Sequence, residues 1–298
     1  FPRRDRAFAT SIFNAGATAG ALVAPLCIPA LAQYFKNIGW GNGWEMAFII
    51  IGGLGYVWMG LWIWLYRHPG ENRRVNKAEL DYIRQDAVTE AGNGEDGGPK
   101  VPLARVIRLP QTWGIFLAKL VTDGAWWFFL FWTPAYISDN FGLKASDPTA
   151  MALMFVLYAI TMLSIFGGKL PTIIINRTRL NSYDARLKAM LAFALIPLLA
   201  IAAQPLGEIS YWWPIIIIGL VGAAHQSWSA NLYSVASDLF PRSVVGTITG
   251  INGLAGGISG AVYNALSGRM FDYAEQSHMC IAGFEGKPAG YFIVFCVC

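Results

Sequence analysis

The sequence predicts an all-α, polytopic membrane protein, on three observations: few charged residues, a series of long apolar runs, and basic residues concentrated in alternate loops. Of the 298 residues, 55% are hydrophobic and only 13% are charged, whereas about a quarter of the residues in a soluble domain are charged. A chain this long needs a more highly charged surface to stay dissolved. The composition therefore argues against a soluble enzyme or nucleic-acid-binding domain, and we expect the lipid bilayer as the surroundings.

The apolar runs give the number of membrane spans. A helix needs about 20 mostly apolar residues to cross the hydrocarbon core of a bilayer. Seven runs reach that length, at residues 7–34, 44–66, 111–138, 149–175, 187–206, 211–236 and 244–270. An eighth begins near Ala289 and stops at the final residue, Cys298. We therefore predict eight spans, of which the last is incomplete.

Lysine and arginine residues alternate between the two sides of this arrangement. If the N-terminal end faces inward, sixteen basic residues lie in inner segments and four lie in outer loops, as the preference for basic cytoplasmic loops requires. The two remaining basic residues, Lys119 and Lys169, fall inside spans. One misplaced span would destroy the alternation, so the charge pattern independently supports the eight-span arrangement.

A long polar stretch separates two membrane regions. We predict that residues 1–66 carry two spans, that residues 67–110 form a cytoplasmic central loop, and that residues 111–298 carry the other six. Within the loop, Asn76 and Glu79 have the spacing of a capped helix start. The later run EAGNGEDGGPK has the glycine-rich, polar composition of a flexible linker.

An internal repeat explains the unequal halves. The triplet FPR begins both the first span, at residues 1–3, and the seventh, at residues 240–242, and Thr10 matches Thr249 at the same offset. The first span then corresponds to the fifth helix of a six-helix half. Two such halves related by an axis along the membrane normal make up the major facilitator architecture. We expect eight of its twelve transmembrane helices in this chain, with four helices preceding Phe1.

Three pairs of glycines are spaced four residues apart within spans: Gly16 and Gly20, Gly246 and Gly250, Gly256 and Gly260. In lipid, this spacing lets two helix backbones approach closely. We predict that the pairs lie at helix–helix contacts between the halves, with direct ligand contact as the lesser alternative.

The third span carries the strongest candidates for a binding site. Lys119, Thr122, Asp123 and Trp126 share one helical face, and at about 1.5 Å per residue the two charges lie near the bilayer midplane. A charge there costs about 2.5–3.5 kcal/mol. Two explanations stay open: Lys119 and Asp123 neutralise each other, or Lys119 attracts a substrate anion while Asp123 binds a proton or a hydroxyl. Trp126 is suited to stacking on a sugar ring or to core packing.

Polar residues in other spans add further candidates. His225 titrates near physiological pH and is suited to proton transfer, although a satisfied buried histidine is the commoner case. Gln226, Asn231 and Asn252 are suited to polyol hydroxyls, because amides both donate and accept, or to hydrogen bonds between helices. Asn14 lies at a comparable depth in the first span. Asp238, near the inner end, is expected to cap or gate rather than bind.

Several function classes lack their signatures in this sequence. It contains no metalloprotease, nucleophile-elbow or phosphate-loop motif and no clustered metal ligands, so we expect no enzyme, cofactor or metal. A channel would be expected to carry a repeated pore motif or a ring of charges. A receptor or scaffold is left open by the pattern.

Several segments resemble bacterial hexuronate transporters, in the anion:cation symporter branch of the major facilitator superfamily. The segment FPRRDRAFATSIFNAGATAGALVAP resembles their fifth helix, and QTWGIFLAKLVTDGAWWFFLFWTPAYISDNFGL resembles their seventh. The stretch AHQSWSANLYSVASDLFPRSVVGTITGINGLAGGISG is similar to their tenth and eleventh helices, and GGKLPTIIINRTR is similar to the second copy of the superfamily's inner-loop signature.

The resemblance implies proton-coupled uptake of glucuronate or galacturonate by alternating access, by a monomer in the bacterial inner membrane. It assigns substrate binding to Lys119, Thr122, Asp123, Trp126, Gln226, Asn231, Asn252 and Asn14, and proton coupling to Asp123 and His225. In this branch the decisive arginine and proton-binding acid usually lie in the first and fourth helices, outside this chain, so Lys119 and Asp123 are alternatively supporting residues. Other cargoes, an aldonate, aldarate or other carboxylate, remain alternatives, as does a non-transporting sensor on the same fold.

Overall fold

The computed structural model describes residues 5–72, 74–85, 101–144 and 147–298, and these are almost entirely helical. The helices are α1 Arg6–Asn37, α2 Trp44–Leu65, α3 Lys77–Arg84, α4 Leu103–Ile107, α5 Pro110–Phe141, α6 Pro148–Thr161, α7 Ser164–Gly167, α8 Leu170–Thr178, α9 Ser182–Leu195, a 3-10 helix Ile196–Ala202, α10 Ala203–Gly207, α11 Trp212–Leu239, α12 Arg242–Gln276 and α13 Lys287–Val297. A short antiparallel hairpin, β1 Cys280–Ile281 and β2 Phe284–Glu285, lies between the last two helices.

Six segments of the described chain are long and apolar enough to cross a membrane. They are α1, α2, α5, the run Pro148–Thr178, the run Ser182–Gly207, and α11, and they coincide with the first six predicted spans. The seventh predicted span lies on α12, which has 35 residues but mixes many glycine, serine, threonine and asparagine residues with its apolar ones and is not among the six. The eighth lies on α13, a shorter apolar helix.

The chain divides into two compact units, which are described separately. The first contains Arg3–Ala19 and Gly92–Cys298, and the second contains Gly20–Ala91. In the first unit α5 packs along α12, and α11 packs against α6 and α9. In the most apolar stretch of α11, 78% of the residues are buried, compared with 6% in that of α2 in the second unit. The polar residues of α11 therefore face protein rather than the surroundings of the molecule.

The fourth span is interrupted near its middle, in the first unit. Turns at residues 162–163 and 168–169 separate α6, α7 and α8. A Cβ atom at Gly167 would overlap Ser227 of α11, and one at Gly168 would overlap Ser11 and the backbone of α1. The Ser11 hydroxyl also donates to the carbonyl oxygen of Ile165 at 3.0 Å. The two glycines therefore let two neighbouring helices reach the backbone of the interrupted span.

The central loop contains the predicted capped helix. The Asn76 side-chain oxygen accepts a hydrogen bond from the backbone nitrogen of Glu79 at 2.8 Å, so α3 begins where the sequence predicts it. The predicted linker at residues 90–100 lies outside the described residues. The assignment of residues 1–66, 67–110 and 111–298 to two halves and a loop stays a prediction.

The three glycine pairs differ in whether a neighbouring helix lies close to them in the described part of the chain. A Cβ atom at Gly256 would overlap the Asp123 carboxylate, and one at Gly260 would press against the Trp127 ring, so this pair does mark the close packing of α12 on α5. Around Gly16, Gly20, Gly246 and Gly250, no described atom lies within 4 Å of the corresponding position. The one observed contact is within the region 111–298 rather than between the predicted halves.

Candidate functional site

The centre of α5 holds a buried ion pair. The Nζ atom of Lys119 lies 2.9 Å from Oδ1 of Asp123, because residues four apart stand one above the other on a helix. The two residues are only 5% and 7% exposed. The first explanation considered from the sequence, mutual neutralisation, therefore describes the geometry.

A stripe of three residues on α11 completes the surroundings of this pair. Nε2 of His225 lies 3.4 Å from Oδ1 of Asp123. One turn further on, the Ser229 hydroxyl oxygen accepts from Lys119 Nζ at 2.7 Å. One turn beyond that, the Tyr233 ring centroid lies 5.0 Å from the same nitrogen, within the range of a cation–π contact. The carboxylate thus lies between an ammonium and an imidazole, and the ammonium has three neighbours. We call these five residues the central cluster.

An aromatic ring from α5 fixes the histidine. Trp126 stacks on His225 with ring centroids 5.8 Å apart and planes inclined by only 4°. Through this contact Trp126 joins the surroundings of Lys119 and Asp123, with which it shares a helical face as the spacing predicts, and its partner is the imidazole. Thr122 instead donates its hydroxyl to the carbonyl oxygen of Ala118, within its own helix.

Two buried asparagines have polar atoms without partners among the described residues. Asn231 is fully buried and donates to the carbonyl oxygen of Ser227 at 2.8 Å, but its own oxygen accepts nothing. Asn252, one turn before Gly256 on α12, is also fully buried, and neither its nitrogen nor its oxygen is paired. Leaving such a group unpaired costs about 1–3 kcal/mol. Both amides therefore keep hydrogen-bonding capacity that the described residues do not use.

Gln226 and Asn14 are the predicted site residues that remain to be placed. Gln226 is buried beside His225 on α11, at 8% exposure. Asn14 is half-buried on α1, and within the described part of the chain it forms neither a hydrogen bond nor an ion pair. The structure thus joins Lys119, Asp123, Trp126 and His225 in direct contact. It does not place Asn14 in contact with them.

The sequence interpretation missed the contributions of Ser229 and Tyr233. Ser229 belongs to a polar stripe with His225, and Tyr233 continues that stripe at the same four-residue spacing. This four-residue spacing was the signal in the sequence that could have identified Ser229 and Tyr233. The sequence contains no information on which face of α5 this stripe meets, because that depends on how the two helices pack.

A second buried charge cluster lies near the inner end of α11. Asp238 forms an ion pair with Arg186 of α9 and approaches Arg6 of α1 at 3.8 Å. Arg186 also donates to the carbonyl oxygen of Ser234 at 3.3 Å. Arg186 is only 1% exposed, although the charge count assigned it to an inner loop; it lies inside α9. These contacts tie α11 to α9 and α1, and the expectation that Asp238 caps or gates rather than binds stays a prediction.

A cavity of about 660 Å³ is lined by α5 and α12, at positions that follow Asp123 on α5 and Gly256 on α12. Its lining is apolar apart from one amide, and comprises Trp127, Phe131, Trp132, Ala135, Gly257, Gly260, Ala261 and Asn264. None of the charged residues lines it. Among the described residues, no group of histidine, cysteine and acidic side chains is arranged to hold a metal ion.

Comparison with known proteins identifies relatives over most of the chain. A sequence profile of the Major Facilitator Superfamily matches residues 1–263. The chain is 28% identical to the hexuronate transporter of Escherichia coli K12 over 274 residues, which cover 91% of the chain and 60% of that relative. It is 29% identical to the galacturonate transporter of Dickeya chrysanthemi over 189 residues, 62% of the chain and 51% of the relative. It is 26% identical to the D-galactonate transporter of Escherichia coli O6:H1 over 275 residues, 87% of the chain and 59% of the relative. The chain thus spans about half to three-fifths of the length of these curated relatives. The predicted fold class and the resemblance to this family are confirmed.

Proposed function

Since the chain belongs to the Major Facilitator Superfamily, we propose that it serves in a secondary active transporter that takes up a hexuronate together with a proton by alternating access. The family is one of transporters rather than enzymes. Relatives named for hexuronate and galacturonate support the cargo. Because the chain spans about 60% of the length of the hexuronate transporter, the activity, the cargo and the coupling of the whole protein are all part of the proposal.

The observation that carries the proposal is the buried ammonium of Lys119. An ionised group at this depth is expensive, and such groups in membrane proteins commonly mark substrate or ion pathways. Lys119 is the charge that a sugar-acid carboxylate would meet in the central cluster. Its position on α5, one turn from the carboxylate of Asp123 and opposite the α11 stripe, makes it the proposed anion contact.

The buried amides are the proposed contacts of the sugar hydroxyls. Asn231 and Asn252 have unpaired atoms in the described structure, and Gln226 is buried on the same helix as Asn231. Each amide can donate and accept, which suits a ring that carries a hydroxyl on most carbons. Thr122, Trp126 and Asn14 stay in the proposed site on the family resemblance, with weaker geometric support.

Asp123 and His225 are the proposed proton-coupling groups. Their side chains lie 3.4 Å apart, which is close enough for proton transfer after a small movement. Histidine changes charge in the physiological pH range, so it can take up and release a proton at pH values that a bacterium encounters. Residence in the bacterial inner membrane as a monomer completes the proposal, and the bacterial relatives support the bacterial location.

A second candidate keeps the transport class and changes the cargo. The D-galactonate transporter among the relatives favours an aldonate, which has the same carboxylate but an open polyol chain. The central cluster would accept either acid at Lys119. The amides around it would then determine which arrangement of hydroxyls is preferred.

Uptake by cells expressing the full-length coding sequence tests the proposal. We expect labelled glucuronate or galacturonate to accumulate, and to stop accumulating when a proton uncoupler is added. Lys119→Ala should lower uptake about 10–100-fold, because a hydrogen bond to a charged group contributes about 1.5–3 kcal/mol. Lys169→Ala is the matched control: Lys169 also lies within a span, but its side chain is exposed and rests on the Phe8 ring, so this variant should retain uptake.

The outcomes separate the parts of the proposal. Uptake of galactonate but neither hexuronate would select the second candidate. Uptake that resists the uncoupler would exclude proton coupling. Full uptake by Lys119→Ala at normal expression would remove Lys119 from the anion site and leave its ion pair with Asp123 structural.

A further inference from the structure

We propose that Asp123 is an internal substitute for the substrate carboxylate: the two carboxylates compete for the ammonium of Lys119, and a proton delivered through His225 removes Asp123 from the competition. The inference rests on the proposed function and specifies how the site couples the proton to the anion. Proton uptake and anion binding would then be coupled because both act on the one ammonium of Lys119. No communication between two separate sites would be needed.

The first step is that the ammonium is already occupied. A lysine ammonium has three N–H donors. In the structure its neighbours are the Asp123 carboxylate at 2.9 Å, the Ser229 hydroxyl at 2.7 Å and the face of the Tyr233 ring at 5.0 Å. An arriving anion therefore has to displace one of these neighbours. Asp123 is the only anion among the three, so it is the neighbour that an incoming carboxylate would repel.

The second step concerns charge balance. Lys119 and Asp123 together are neutral, and a second ionised carboxylate would leave a net negative charge in a nearly fully buried site. Two carboxylates that share a site do not both stay ionised, because their repulsion favours protonation of one. When Asp123 takes a proton, the substrate carboxylate and Lys119 again form a neutral pair.

The third step concerns the groups that face Asp123 on every packed helix. Lys119 faces it from α5, and His225 faces it from α11. The nearest part of α12 is Gly256, which carries no side chain. Tyr263, the titratable residue of α12 in this region, rests against Gly124 instead. The imidazole is thus the one described group adjacent to Asp123 that can hand it a proton while Lys119 keeps its own.

The geometry of the imidazole suits this transfer. Stacking on Trp126 fixes the ring plane, and the Nε2 atom is the one that faces the carboxylate. A proton that enters at Nδ1 and one that leaves Nε2 for Asp123 Oδ1 return the imidazole to its neutral form. The net change is one proton taken from solution for each carboxylate bound by Lys119.

Calorimetric binding to the purified full-length protein tests this stoichiometry. Glucuronate and galacturonate are titrated at several pH values in buffers that differ in ionisation enthalpy, which counts the protons exchanged. We expect uptake of about one proton per substrate, and a Kd that rises about tenfold per pH unit where Asp123 is ionised before binding. Asp123→Asn should bind with a Kd that no longer depends on pH and with no proton uptake. Asp139→Asn is the control: this carboxylate accepts from the Tyr291 hydroxyl at 2.9 Å at the other end of α5, and its loss should leave the proton count unchanged.

Infrared difference spectra of the unmodified protein supply a readout that needs no variant. Substrate should induce the carbonyl stretch of a protonated carboxylic acid, and this band should persist in Asp139→Asn. The inference is overturned if substrate binds without this band or without proton uptake. It is also overturned if folded Asp123→Asn keeps the proton uptake or loses binding. If the unmodified protein binds neither hexuronate nor aldonate, the proposed function itself fails, and the two failures are thereby distinguished.

Discussion

Two carboxylates lie buried among the helices of the first unit, and they differ in their partners rather than in their burial. The side chains of Asp123 and Asp238 are each 10% exposed. Asp123 lies between the ammonium of Lys119 and the imidazole of His225. Asp238 forms its ion pair with the guanidinium of Arg186, which is among the most buried side chains of the described residues.

The difference indicates how to recognise an exchangeable charge inside a membrane protein. A guanidinium stays protonated under all ordinary conditions, whereas lysine and histidine can change protonation state. The two arginines of the Asp238 cluster therefore keep their charge, and the cluster ties α9 and α11, and through Arg6 also α1. The Asp123 cluster contains two side chains, Lys119 and His225, that can change protonation state. Burial alone would not separate the two sites; the chemistry of their partners does.

The largest expected effect comes from neutralising Asp238. Asp238→Asn leaves the guanidiniums of Arg186 and Arg6 facing one neutral amide, and breaking a buried ion pair costs about 3–5 kcal/mol. We expect the purified full-length protein to melt at a clearly lower temperature or to be lost during purification. Asp123→Asn should lower the melting temperature less, because only one ammonium loses its anion. An equal or larger loss for Asp123→Asn would show that the two carboxylates do not differ in this way.

An intermediate effect is expected from a methyl group added beside Asp123. In Gly256→Ala the new Cβ atom would overlap the Asp123 carboxylate, which has to move away from Lys119, and such overpacking costs about 1–3 kcal/mol. We expect sugar-acid uptake to fall by at least several-fold at normal expression. Gly250→Ala, on the same helix but with no described atom within 4 Å, should retain uptake. Equal losses in both variants would assign the effect to the helix rather than to the carboxylate.

The smallest effect is expected at Tyr233, whose ring faces the Lys119 ammonium. Tyr233→Leu removes a cation–π contact that contributes about 0.5–2 kcal/mol, so the Kd for the sugar acid should change by a factor of about 2–30. Tyr233→Phe keeps the ring and should bind as the unmodified protein does. If the phenylalanine variant is affected as strongly as the leucine variant, the phenol hydroxyl rather than the ring is the group that matters.

The membrane spans could be predicted from sequence because their cause is local. Apolar length and the alternation of basic loops identified the positions of α1, α2, α5 and α11 within a few residues. The Asn76 cap was predictable for the same reason, since its partner lies three residues away. The interruptions at residues 162–163 and 168–169 were not predicted. Gly167 and Gly168 are a local signal for the second interruption, but the close contacts with α1 and α11 that accompany it depend on how the helices pack.

The sequence by itself placed Lys119 and Asp123 within reach of each other, since residues four apart on one helix lie on the same face wherever that helix is placed. Only the tertiary structure decided that His225, Ser229 and Tyr233 face this pair, that Arg186 reaches Asp238, and that Gly256 and not Gly250 touches a neighbour. Helical periodicity fixes which residues share a face. The rotation and depth of one helix against another depend on how all their side chains pack together, and the sequence of a single helix does not contain that information.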